Sequence, residues 1–347
     1  MDGRPHVTLE DVAREAQVSL ATASRALNGT TKVRPDLRDR VVAAAQHLAY
    51  TPNAHAQALA GGAHRTVGVI CHDVSDPYFA AISRGVMRAA DEAGLLVMLA
   101  STFRDPQKEI AYISMLRAQR ASAILLVGSG FEDREWERAL AAEIEPYQRG
   151  GGQVAVVSRH RTLKVDSVQP ENREGAAKLA RTLTAQGHRR FAVLTGPPAL
   201  TTVVDRLKGF REGLAEAGVE LADDRIVEGA FTRDGGHAAM SELLTRSGGE
   251  PDVTCVFAVT DVMAIGAMTA LRETGLSVPG DVSVAGFDDI PVVRDLTPPL
   301  TTVALPLEEL GERAMELAVR EQQGKRRRIL RMPAEVVVRD STRPVDG

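Results

Sequence analysis

Residues 7–29 read VTLEDVAREAQVSLATASRALNG, and this stretch decides how the start of the chain folds. Thr8 supplies a hydroxyl cap, Glu10 and Asp11 place acid in a first helical turn, and Val12, Ala13 and Ala16 recur at helical spacing. The pattern stops at Ala16, and Gln17-Val18-Ser19 makes a tight connection. Ser19 then caps a second helix that begins at Leu20. Val12, Ala13, Ala16, Val18, Ala23 and Leu27 form one small seam. The low volume at Ala13 and Ala23 lets the two helices cross closely at a steep angle, the geometry of a helix-turn-helix. An amphipathic helical hairpin in another small domain has the same spacing, so spacing alone leaves both readings open.

The second helix carries Ser19, Thr22, Ser24 and Arg25 close together. A helix that only fills a core shows a cleaner apolar stripe, and a solvent-facing one favours Glu and Lys. In a DNA major groove the combination makes sense. Short hydroxyls bond phosphate oxygens, an arginine pairs with guanine O6 and N7, and Leu20 and Ala21 meet thymine methyls.

Further along, PDLRDRVVAAAQHL (35–48) predicts a third helix with Pro35 at its start and an apolar face at Leu37, Val41, Val42, Ala45 and Leu48. YTPNAHAQALAGGAHR (50–65) follows, with a short helical run between Pro52 and Gly61-Gly62. A lone helix of about eight residues is marginal in water. This one is expected to form only against a partner copy or DNA.

From Thr66 the pattern changes to apolar strands alternating with helices. TVGVICHDV, LLVMLAST, ASAILLVGS and QVAVVS read as strands of one set. FAVLTG, DRIVEGAF, VTCVFAVT and VSVAGFDD read as strands of a second. Such runs imply two parallel sheets covered on both faces, hence an α/β body of two lobes. Bodies of this kind bind ligands where the strand ends converge.

The chain of 347 residues has room for two or three domains. Its 44% hydrophobic and 25% charged residues are those of a soluble globular protein. No run of about 18 apolar residues is present, so no membrane span is expected. The start lacks the apolar stretch of a signal peptide, which predicts a cytoplasmic protein. Cys71 and Cys255 lie far apart in apolar runs and read as buried thiols, with no disulfide framework and no metal site. The net charge of −4 argues against gross nonspecific affinity for nucleic acid. Residues 1–62 carry seven Lys or Arg against six Asp or Glu, and the remainder 35 against 40. That asymmetry is too small to mark a DNA-binding domain by itself.

VTLEDVAREAQVSLATASRALNG, then YTPNAHAQALAGG, then TVGVI resembles the LacI/GalR (lac-repressor) family of bacterial transcription regulators, and the likeness runs through almost the whole chain. The resemblance implies an N-terminal all-α helix-turn-helix domain (1–50), a hinge helix and linker (51–64), and a periplasmic-binding-protein-like body (65–347). Its first lobe would hold about 65–160 and 305–331, its second about 162–303 and 333–347, with crossings near Arg161, Ala304 and Met332. Leu20, Ala21 and Arg25 would then read bases, while Ser19, Thr22, Ser24 and Asn28 hold the helix on the backbone. Thr8 and Asn53 are further DNA-binding positions, and Leu59 is the hinge leucine that wedges into the minor groove.

In the cleft, the resemblance assigns Phe79 as an aromatic packed on the ligand and Phe231 as one lining the pocket floor, with Arg206 bonding sugar hydroxyls or a ligand carboxylate and Asp288 accepting from hydroxyls. Arg159, Thr260 and Asp261 complete the set. Thr260 and Ser158 depart from the family's usual asparagine and aspartate, which leaves the usual hexose ligand open. No leucine-rich tetramerising tail is seen before Gly347, so a homodimer is expected. The implied partners are a pseudo-palindromic double-stranded DNA operator and a small effector of sugar type. A nucleoside, a phosphorylated metabolite or a protein partner stays open in its place. No cofactor is implied. Asp288-Asp289 lacks an accompanying nucleophile, metal cluster or phosphate loop, so no catalytic residue is assigned. A solute-binding protein would share the body but not the helix-turn-helix. His72 and His160 lack partners at metal-ligand spacing, and Lys325 to Arg328 reads as a solvated charge run.

Overall fold

The computed structural model describes residues 7–28, 33–51, 66–249, 252–319 and 327–345. Asn53 and Leu59 lie outside the described residues, as does the side chain of Asn28. The chain divides into two compact units, Met1–Arg65 and Thr66–Gly347.

The first unit holds α1 (Leu9–Glu15), α2 (Leu20–Asn28) and α3 (Pro35–His47). Asp11 N–H donates to Thr8 Oγ1 at 3.3 Å, and Thr8 N–H donates back to Asp11 Oδ2 at 2.9 Å. This reciprocal cap satisfies two donors that a helix start otherwise leaves orphaned. Those bonds, with Arg14 beside them, hold the Asp11 carboxyl below its ordinary pKa. The turn closes through Gln17 in the left-handed region (φ 51°), where Arg40 Nη2 ties α3 to the Ala16 carbonyl at 2.5 Å. Val12, Ala13, Ala16, Ala23, Ala26, Val41, Ala44 and Ala45 form the core. Val42, expected inside, is exposed. The buried face of α3 runs through Val41, Ala44 and Ala45, three and four residues apart, which turns Val42 outward.

In the second unit β1 (Thr66–Cys71), β2 (Leu96–Ser101), β3 (Ala123–Val127), β4 (Gln153–Val157), β5 (Asp166–Pro170) and β11 (Ile329–Met332) form one parallel sheet in the order β11-β5-β4-β3-β1-β2. Successive residues of β3 face opposite ways. Ala123, Leu125 and Val127 enter one core cluster, while Ile124 and Leu126 enter another with Ile113, Trp136 and Leu140. Helices α4 (Pro77–Glu92), α5 (Pro106–Ala118) and α6 (Arg134–Arg149) connect these strands.

The second lobe carries β6 (Phe191–Thr195), β7 (Ile226–Glu228), β8 (Cys255–Ala258) and β9 (Ser283–Ala285) in the order β7-β6-β8-β9, also parallel. Its helices are α7 (Asn172–Ala185), α8 (Thr201–Glu216), α9 (Arg233–Arg246) and α10 (Asp261–Glu273). β10 (Thr302–Ala304) and β12 (Glu335–Val337) pair antiparallel, and α11 (Leu307–Val319) returns to pack on α4. A Cβ on Gly85 of α4 would overlap the Glu308 carbonyl of α11, so the close approach of these helices depends on that missing atom.

The chain leaves the first sheet later than expected. β5 pairs with both β4 and β11, so the first crossing follows Pro170 instead of lying near Arg161. Arg328 explains part of this arrangement. Its guanidinium donates twice to buried Asp166 Oδ2, at 2.9 and 2.5 Å, and its N–H donates to Oδ1 at 2.7 Å. The end of the basic run is therefore a clamp between β5 and β11, and not solvated charge. Cys71 and Cys255 are buried free thiols. No helix among the described residues is long and apolar enough to cross a membrane.

Candidate functional site

On α2, Leu20, Ala21 and Arg25 are exposed, while Ala23 and Ala26 are buried. The exposed set shares one face because the buried set occupies the other. Ser19 Oγ accepts the Thr22 N–H at 3.1 Å and lies 2.8 Å from Thr22 Oγ1. Arg25 Nε donates to the Ala21 carbonyl at 3.1 Å, which aligns its guanidinium along the exposed face. Thr8 is exposed at the start of α1 with its hydroxyl engaged by Asp11.

In the second unit the strand orders reverse at the β1/β3 and β6/β8 positions, where open α/β sheets form ligand crevices. One cavity collects residues from these ends. His72 follows β1, Ser129 follows β3, Thr260 follows β8, and Arg206 lies on the helix after β6. Asp76, Tyr78, Phe79, Arg104, Leu200, Thr202, Phe231 and Asp288 complete its wall. Two glycines make room for it. Gly128 sits at φ 150°, and a Cβ there would overlap the His72 ring; a Cβ on Gly196 would overlap Phe231.

Arg206 is held on three sides. It donates to Asn172 Oδ1 at 2.9 Å, to the Val259 carbonyl at 2.6 Å and to Asp288 Oδ1 at 2.7 Å, with its guanidinium 3.8 Å from the Phe287 ring centroid. Burial pushes the Asp288 carboxyl up, and Arg206 pulls against it. Asp288 also holds a positive φ of 119°, a strained backbone for a non-glycine residue. Neighbouring Asp289 supports the turn by accepting from Arg339 at 2.7 Å and Arg294 at 2.8 Å. Across the cleft, Arg104 lies 5.4 Å from the Phe231 centroid and 3.9 Å from Asp76. Burial, reinforced by Arg104, lowers the His72 pKa to about 4, so its imidazole is neutral. Its Nε2 lies 3.1 Å from the Ser129 carbonyl.

Residues 8–53 match the bacterial regulatory proteins, lacI family, and residues 180–342 match the periplasmic binding protein-like domain. The chain is 34% identical to the HTH-type transcriptional regulator DegA of Bacillus subtilis strain 168, covering 98% of this chain and 99% of that one. The chain belongs to the LacI family of bacterial regulatory proteins. Another LacI-family relative, the HTH-type transcriptional repressor CytR of Escherichia coli K12, is 34% identical over 97% of this chain and 96% of its own. Among solved structures, a transcriptional regulator CelR–cellobiose complex is 32% identical with a TM-score of 0.70, covering 97% of this chain and all of that one. The lac repressor dimer bound to operator and the anti-inducer ONPF is 27% identical with a TM-score of 0.83, covering 97% and 99%.

Of the effector positions that the LacI-family likeness implies, Phe79, Arg206, Phe231, Thr260 and Asp288 line this cavity. Two do not. Asp261 is fully buried, where its carboxylate accepts from the Ile290 N–H at 2.9 Å and the Thr302 hydroxyl at 2.6 Å, tying α10 to β10. Arg159 lies outside the cavity, paired with Asp205. Reading the sequence missed Asp76, Tyr78, Arg104 and His72. Tyr78 was signalled by its place beside Phe79 in DPYFA, and Arg104 by standing just past a strand end, where an α/β site collects side chains.

Proposed function

We propose that this protein is a dimeric, sequence-specific transcriptional repressor whose affinity for a pseudo-palindromic operator responds to a small neutral carbohydrate-like effector in the interlobe cavity. The observation that carries the effector class is the charge balance of that cavity. Arg206 lies 2.7 Å from Asp288 and Arg104 lies 3.9 Å from Asp76, while His72 is neutral. An added anionic group would sit near two carboxylates, with no unpaired cation among the described lining residues. Hydroxyl groups, by contrast, accept and donate equally well to paired Arg and Asp, and the Phe79 and Phe231 rings suit an apolar sugar face. The cavity has a volume of only ≈ 30 Å³, so a monosaccharide enters by parting the lobes. The cellobiose bound to the CelR relative agrees with a carbohydrate class.

The exposed face of α2, with Arg25, Leu20 and Ala21, reads base edges, and the hydroxyls of Ser19, Thr22 and Ser24 with Thr8, Asn28 and Asn53 position it on phosphates. Leu59 wedges the operator centre.

Dimerisation is supported by β2, which ends the first sheet and pairs on one side only among the described residues. Leu96 and Leu99 on that strand, Met87 on α4 and Met115 on α5 are exposed. An exposed apolar sheet edge calls for a covering partner, and a second copy meets that need.

The test is fluorescence anisotropy of the purified protein on DNA from just upstream of its coding region, with and without a panel of small sugars. Tight, salt-sensitive binding that one neutral sugar alters supports the reading. Binding that responds only to phosphorylated sugars would overturn the neutral class.

A further inference from the structure

Beside the inner cavity lies a wider polar cleft of ≈ 680 Å³, and Tyr78 and Thr202 line both. Arg159 and Asp205 stand in the wall of this outer cleft. Arg159 follows β4 in the first lobe, and Asp205 lies on α8 in the second. Their contact is a two-pronged fork, Nε to Oδ2 and Nη2 to Oδ1, both at 3.0 Å. This geometry is the strongest a guanidinium and carboxylate offer. Among the described residues it is the only ion pair whose partners belong to different lobes.

Glu132 reinforces it, accepting from Arg159 Nη2 at 3.3 Å while also meeting Arg161 Nη2 at 2.5 Å. Burial works against the Arg159 charge, yet Asp205 and Glu132 together outweigh it and raise the pKa. The surrounding backbone is zipped across the same flank. Glu132 N–H donates to the Ala199 carbonyl at 2.7 Å, Thr201 N–H to the Gly130 carbonyl at 2.9 Å, and Thr202 N–H to Ser129 Oγ at 3.0 Å.

We infer that Arg159 and Asp205 form an electrostatic latch between the lobes that governs how readily the effector cavity opens. The latch rests on the effector reading above for its purpose, but its existence is testable without any effector. The two residues act as positioning residues: they touch each other at the mouth of the cleft, and neither lines the inner cavity. The backbone bonds of the flank can close for any side chains. The ion pair adds a term that depends on charge and on salt, because both partners are only partly buried.

The experiment is a spin-label distance measurement on the full chain, without DNA or ligand. Glu145→Cys in the first lobe and Glu220→Cys in the second supply exposed labelling sites, and the two native thiols are buried. The expected result is a narrow distance distribution that shifts to longer distances in Arg159→Glu and in Asp205→Arg. The charge-swapped double variant Arg159→Glu/Asp205→Arg should restore it. High salt should shift the parent in the same direction and leave Arg159→Gln unmoved. Should Arg159→Glu fail to fold, Arg159→Gln carries the same comparison with a smaller shift. An unchanged distribution in the single variants, or a swap that fails to restore it, overturns the latch. Sugar-dependent DNA binding is read in a separate assay, so failure of the effector reading leaves this result interpretable.

Discussion

Arg206 and Asp288 meet at 2.7 Å with their side chains only 2% and 5% exposed, so the charge that would bind an effector hydroxyl is also part of the protein's interior. A buried pair of this kind is costly to break, because removing one partner strands the other charge. Asp288→Ala is expected to lower folding stability by about 3–5 kcal/mol. Arg206→Met combined with Asp288→Leu should recover most of that loss while abolishing any response to effector. Urea unfolding midpoints for the two variants and the parent check this. A single variant as stable as the parent would mean that the pair carries little of the lobe's stability.

Glu109 is buried on α5 beside His72 and His160, and burial pushes its carboxyl up to about 8. Its folded pKa is raised above the ordinary carboxyl value, so its contribution to stability is full below about pH 4.5 and is lost as the pH rises toward 8. Glu109→Gln, which stays neutral, should therefore melt above the parent at pH 8.5 and close to it at pH 5. Parallel melting curves across this range would remove the assignment.

His72 and His160 shift the other way, each lowered to about 4 chiefly by burial. The folded state refuses protons that the unfolded chain accepts below pH 6.5. Stability should decline between about pH 6.5 and pH 4 and then level, by up to ~3 kcal/mol for each histidine. His160 stacks on Trp136 at 5.7 Å, so His160→Phe keeps the ring and removes the proton uptake. That variant should show a shallower acid limb in chemical denaturation. An acid limb as steep as the parent's would assign the loss elsewhere.

Arg25 is the one cation on the exposed face of α2. Arg25→Ala should cost about 1–3 kcal/mol of operator binding and relax specificity at one base pair per half-site. Anisotropy titrations on the operator and on single-base variants read both effects. Undiminished discrimination would exclude Arg25 from base reading.

Leu96 on the open edge of β2 is 67% exposed. Placing a charge there with Leu96→Glu should leave folding unchanged, since the side chain buries little within its own chain, and should shift a dimer toward monomer. Sedimentation velocity distinguishes the outcomes. A parental sedimentation coefficient would move the interface away from this edge.

The residues themselves carried the reading of the helix-turn-helix. A cap at Thr8, apolar spacing through Val12 and Ala16, and the seam to Ala23 are all set within a window of about four helical turns, where local hydrogen bonding and periodicity decide the outcome. The two parallel sheets were legible for the same reason. Strand runs such as AILLV at 123–127 are buried on both faces, and that burial is written directly in composition.

Within the cavity, Phe79, Arg206, Phe231, Thr260 and Asp288 were named from family likeness and converge in space. Asp76, Tyr78, Arg104 and His72 were not assigned to the cavity, because only the sheet order brings the ends of β1, β2 and β3 against the second lobe. Arg159, Asp261 and Arg328 show the limit most clearly. Each is a charged residue beside a strand or helix end, and the chain alone cannot say whether its partner is a ligand or a side chain more than forty positions away. Tertiary structure placed Asp205 against Arg159, Thr302 against Asp261 and Asp166 against Arg328. The sequence by itself determined the elements and the two-unit plan, since these follow from short-range spacing. Which charges face the cleft and which hold it together was decided by the fold, because an ion pair depends on distance in space and is indifferent to distance along the chain.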